Sequence, residues 1–230
     1  STCCSSDLYM KEVLILEKYL REPINSLTHL IGAILSVFAL IAMLVKGIVN
    51  NSSTVTIASV VIFGISLILL YSVSATYHGV ITSDKIIFTL RKLDHSMIFI
   101  LIAGSYAPFS LIALGGSRGT VFFTVITSIA IFGILFRMLW FNCPRWLQTS
   151  LYIGLGWAAI FMIKPLSQVL NPISLFLLIF GGVLYTVGGV IYALKPKKLQ
   201  LGKFGFHEIF HIFIILGSLC HFISVFIYLI

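Results

Sequence analysis

Long apolar stretches alternate with short polar ones along nearly the whole chain. Seven of them are long enough to cross about 30 Å of hydrocarbon at roughly 20 residues each. They cover residues 27–49, 55–77, 93–114, 120–141, 146–163, 172–194 and 204–229. None shows the two-residue alternation of a barrel strand, and backbone groups in lipid must find partners within their own segment. The pattern therefore predicts an all-α polytopic membrane protein, a bundle of seven transmembrane helices, of which the fifth is the shortest. Residues 1–26 read as an N-terminal cytoplasmic segment and 27–230 as a single transmembrane domain, with no internal repeat or low-complexity tract.

Composition agrees with this reading. A chain that is 59% hydrophobic and 10% charged fits neither a soluble globule nor a disordered segment. Lys and Arg gather before the first run and after the second, fourth and sixth: Lys11, Lys18 and Arg21; Lys85, Arg91 and Lys92; Arg137 and Arg145; Lys195, Lys197, Lys198 and Lys203. Only Lys46, Arg118 and Lys164 fall in the opposite loops. The positive-inside rule then places the N-terminus in the cytoplasm and the C-terminus outside, in a cell membrane. The net charge of +8 is accounted for by this topology and by anionic membrane lipids, so no nucleic-acid partner is needed. Arg137 and Trp140 suit the inner membrane interface. Cys3, Cys4, Cys143 and Cys220 form no convincing disulfide pair and no C-x-x-C motif. The apolar core at residues 13–16 is too short for a cleavable signal peptide, so the first helix is expected to direct insertion.

The chemistry concentrates in histidines. In Phe206-His207-Glu208-Ile209-Phe210-His211 the two histidines are four residues apart, on one helical face, where both imidazoles can hold one metal ion. Glu208 completes H-E-x-x-H, a metalloprotease signature in the right context. The later histidine, His221, stands about 15 Å further along the helix, out of reach of metal bonds of roughly 2 Å. A third ligand must come from earlier in the chain.

Given the topology, Glu22, Asn25, His29, Ser74, His78, Asp94, His207, Glu208 and His211 fall in one layer near the inner face. Costly polar groups gathered at one depth are what a buried site predicts. The favoured ligand set is His78, His207 and His211, three neutral imidazoles that leave zinc (Zn2+) one open position; the next set replaces His78 with His29. Asp94, an acid at the start of the third helix compensated by the dipole, a cap or Lys92, is the candidate proton carrier, and Ser74 can orient it or donate to an oxyanion. Glu208 points about 100° from the ligand face and ranks below Asp94 as base. His95 likewise points about 100° from Asp94, so the two are not expected to serve one metal. Glu22 reads as a helix cap, while Asn25 and His29 face deeper into the bundle. Gly104 and Pro108 predict close packing or a kink, and Gly181-Gly182 and Gly188-Gly189 tight helix packing.

Taken together, Ser74-x-x-x-His78, Asp94 within Arg91-Lys92-Leu93-Asp94, His207-x-x-x-His211 in a seventh helix and Asn25-x-x-x-His29 in the first resemble the hemolysin III family and its relatives, the progestin and adipoQ receptors. The resemblance runs from about Glu22 to the end of the chain. It implies zinc held by His78, His207 and His211, with Ser74 and Asp94 completing the site. A distant similarity to alkaline ceramidases implies hydrolysis of lipid amides, and the family's naming implies cytolysis. Two function classes are thus expected: a zinc-dependent hydrolase of a lipid amide or ester entering from the bilayer, or a non-enzymatic lytic or lipid-homeostasis protein with structural zinc. An intramembrane metalloprotease is a third.

Overall fold

A computed structural model of the protein describes residue 16, residues 18–200 and residues 204–230. Most of the proposed N-terminal segment, with Cys3, Cys4 and Lys11, lies outside these, as does Lys203. The described chain forms a bundle of seven helices long and apolar enough to span a membrane: α1 Pro23–Val49, α2 Thr54–Gly79, α3 Asp84–Leu114, α4 Gly116–Leu139, α5 Arg145–Val169, α6 Pro172–Leu194 and α7 Phe206–Tyr228. Their outer faces carry exposed Leu, Ile, Val and Phe, the surface a hydrocarbon solvent calls for. α3 is the most deeply enclosed of the seven.

Helix starts follow local chemistry. Pro23 fills the first turn of α1, where its missing N–H costs nothing. The Asn171 side chain caps α6 by accepting from the Ile173 N–H at 2.9 Å, just ahead of Pro172. α3 begins at Asp84, about ten residues before Asp94. Asp94 therefore sits in the helix interior, and neither a cap nor the helix dipole compensates it. Lys92 offers no relief either, since its ammonium donates to the Met138 carbonyl at 3.3 Å.

Small residues set the close contacts. A Cβ at Gly181 would meet the His221 ring at 2.5 Å and one at Gly188 the Phe213 side chain at 2.8 Å, so these two glycines let α6 and α7 approach. Gly189 instead faces Thr149 and Ile153 of α5. Gly104 packs against Ser66 of α2, and from Pro108 to Leu114 the helix widens into π geometry. α5 runs past its expected end at residue 163 and is interrupted by a 3-10 turn, Trp157–Met162. Pro165 has no N–H to return to residue 161, which explains why regular α-helix is not sustained there.

The end of the bundle that matters is closed by the segment before α1. The backbone N–H groups of Arg21 and Glu22 donate to the carbonyls of Gly79 and His78 at 3.1 and 2.9 Å. Ser26 Oγ adds a bond to the Ala75 carbonyl at 3.0 Å. These contacts pin the start of α1 onto the last turn of α2, so the N-terminal ends of α1 and α7 and the C-terminal end of α2 meet at one level. At the opposite end Lys46 donates to the carbonyl of Phe226, a cation at the C-terminal end of α7.

Candidate metal centre

Three imidazoles converge at that level. His78 closes α2, and His207 and His211 occupy the first two turns of α7. One ring nitrogen from each lies within 4.8 Å of the others, a group able to hold a metal ion. The ring centroids are 4.9 Å apart for His78 and His207, 5.1 Å for His78 and His211, and 4.7 Å for His207 and His211. Helical spacing supplies the α7 pair. The pinned start of α1 and the end of α2 supply the third.

The surrounding bonds decide which nitrogens face inward. His78 Nδ1 lies 2.6 Å from Glu22 Oε2. A carboxylate only accepts, so Nδ1 carries the proton and Nε2 is left as the lone-pair nitrogen. That Nε2 is buried with no partner among the described residues. His211 Nδ1 lies 3.2 Å from Thr28 Oγ1. The arrangement at His78 is the carboxylate–histidine support that metal-binding imidazoles commonly have. Three imidazole donors in a buried pocket suit zinc among the biological metals, with copper, iron and nickel also compatible.

Glu22 does not act as a side-chain cap. It makes no cap bond to α1. Its carboxylate also accepts from Asn25 Nδ2 at 3.2 Å and pairs with Arg21 at 3.3 Å. Burial pushes the Glu22 carboxyl up, but the hydrogen bonds from His78 and Asn25 and the charge of Arg21 outweigh that and hold it below the usual carboxylate range, so it is ionised at neutral pH.

His29 stacks on His211, centroids 3.5 Å apart and planes 12° apart, and both of its nitrogens are buried without partners among the described residues. It sits behind His211 rather than within the convergent group. Glu208 Oε2 accepts from the Gly205 N–H at 2.8 Å, capping α7 from its third position. Ser74 and Asp94 both line a cavity of about 450 Å³ that runs beside the centre, as do His29, His207 and His211. His221 lines the same cavity, outside the histidine layer, with its Nε2 3.1 Å from the Leu178 carbonyl.

Two residues make a contact that sequence spacing does not predict. Arg137, in the last turn of α4, is only 2% exposed, and its Nη2 lies 2.6 Å from His95 Nδ1. His95, though turned from Asp94 around the helix, lines the same cavity. A signal existed for neither, because the pairing spans 42 positions between helices. Cys143 and Cys220 are both free.

The fold and the histidine group define a multi-pass, seven-helix membrane protein with a metal-competent centre embedded near one end of the bundle. The profile of the family described as Haemolysin-III related matches residues 17–222, and the chain belongs to that family. It is 37% identical over 207 residues to the Hemolysin-3 homolog of Bacillus subtilis, covering 90% of this chain and 93% of that one. It is equally 37% identical over 214 residues to Hemolysin-3 of Bacillus cereus, covering 92% and 93%. A more distant relative is an ADIPOR-like receptor of Saccharomyces cerevisiae, 29% identical over 228 residues, with 87% of this chain and 69% of the receptor covered.

Proposed function

We propose that the centre binds zinc through His78, His207 and His211 and that the protein hydrolyses an amide or ester of a membrane lipid. The observation that carries this reading is the position of Asp94 and Ser74 on the wall of an otherwise largely apolar cavity that also contains His207 and His211. A purely structural metal site needs neither a cavity nor an acid beside it. Bound zinc would supply Lewis acidity, polarising an acyl carbonyl and making water a usable nucleophile at neutral pH.

The chain's own residues supply the rest. Ile98, Leu101, Phe109 and Leu166 line the cavity and would take the acyl chain from the bilayer. An Asp94 carboxylate oxygen accepts the proton of the attacking water and later returns it to the leaving amine or alcohol. Ser74 Oγ donates to the oxyanion that develops on the carbonyl oxygen. Glu22 keeps His78 in the tautomer that presents Nε2. The topology proposed from loop charges puts this chemistry at the cytoplasmic end.

The test is turnover by purified, zinc-loaded protein on a panel of lipid amides and esters, beside Asp94→Asn. The hydrolase reading expects fatty-acid release by the wild type and its loss, by about a hundredfold or more, in an Asp94→Asn protein that keeps its zinc. No release from any lipid, with stoichiometric zinc, contradicts it. A second reading rests on the origin of the three ligands in only two helices, where zinc would fasten α2 to α7. It expects His207→Ala to unfold the bundle while Asp94→Asn retains every property. Because a relative is named Hemolysin-3, red-cell lysis measured on the same preparations separates a lytic role from both.

A further inference from the structure

His95 is 7% exposed, follows Asp94 on α3 and lines the cavity with Asp94, His207 and His211. Behind it, Arg137 Nη2 lies 2.6 Å from His95 Nδ1. A guanidinium has only donors and keeps its charge, so Nδ1 must accept and cannot carry the proton. The proton of the neutral ring is then on Nε2. Nε2 has no protein partner among the described residues and is not among the sealed, unpartnered atoms of the interior.

The support around the pair is extensive. Arg137 is itself 2% exposed, with no carboxylate in ion-pair contact among the described residues. Its Nη1 donates to the Phe141 carbonyl at 2.6 Å and to Cys143 Sγ at 3.3 Å, and the guanidinium lies 4.3 Å over the Phe141 ring. Tyr152 Oη donates to the His95 carbonyl at 2.8 Å and accepts from Gln148 Nε2 at 2.9 Å, fixing the backbone that carries the ring. A buried cation without an acid partner is costly. Here, among the described residues, its one side-chain nitrogen acceptor is the imidazole it orients.

We propose that His95 is a tautomer-locked hydrogen-bond donor, its Nε2–H directed into the cavity to hold the carbonyl-type oxygen of an acyl lipid, with Arg137 as the positioning residue that sets the tautomer. The assignment rests on the acyl-lipid reading above and adds to it the group that orients the head of the ligand. His95 so arranged cannot be a metal ligand through Nδ1, and through Nε2 only by losing the proton that Arg137 directs there.

Nitrogen-15 chemical shifts of histidine-labelled, zinc-loaded protein test the tautomer, the His95 signals being assigned by their loss in His95→Gln. The expected result is a protonated Nε2 and an unprotonated Nδ1; a protonated Nδ1 overturns the proposal. Binding of oleate and of N-oleoylethanolamine, followed by native mass spectrometry, tests the role and separates a carboxylate from an amide carbonyl as the acceptor. His95→Gln, whose amide nitrogen replaces the Nε2 donor, is expected within about threefold of wild type, and His95→Phe about tenfold weaker, both with unchanged zinc. Equal binding by His95→Phe and wild type, or no binding of either lipid to wild type, overturns it. Failure of the hydrolase reading shows separately, as absent turnover by zinc-loaded wild type with the His95 tautomer and lipid binding intact.

Discussion

Glu22 Oε2 and His78 Nδ1 are 2.6 Å apart, and this bond joins the segment before α1 to the last turn of α2. It fixes the tautomer of His78, so that Nε2 is the nitrogen offered to the α7 pair. Glu22→Ala removes the acceptor while leaving all three imidazoles. Zinc affinity, measured by chelator competition, should fall about 10- to 100-fold, with Glu22→Gln intermediate. Unchanged affinity would mean that His78 needs no support from α1.

His29 distinguishes the two possible ligand sets. Its ring is stacked on His211 at 3.5 Å and lies outside the convergent group. His29→Ala should therefore retain stoichiometric zinc, with affinity reduced by about tenfold at most through loosening of His211. Complete loss of the metal from this variant would transfer the third ligand from α2 to α1.

Glu208 belongs to the H-E-x-x-H string, yet its carboxylate accepts from the Gly205 N–H and caps α7. Glu208→Ala should cost about 0.5–2 kcal/mol of stability in thermal unfolding, and Glu208→Gln less. Both should keep zinc and whatever turnover the wild type shows. Turnover abolished in a stable, zinc-loaded Glu208→Gln would instead make it the base.

Much of this architecture could be read before any coordinates. Hydrocarbon demands about 20 apolar residues per crossing, so the seven spans announce themselves. His207 and His211 declare a shared face by spacing alone, and antiparallel succession brings the end of α2 to the start of α7. What stayed hidden depends on contacts between distant positions. Glu22 looks like a cap until the fold lays it on His78, 56 positions away. Arg137 shows no partner in the sequence until the fold sets it against His95 and Phe141. The early start of α3 was masked because residues 84–92 are too polar to score as membrane, although nothing in them opposes a helix.

The central claim is that His78 of α2 joins His207 and His211 of α7 on one ion. Element-resolved metal analysis of purified wild type beside His78→Ala tests it most directly. The account predicts about one zinc per chain in the wild type and near none in the variant. A folded His78→Ala protein that keeps its full complement of zinc would contradict it.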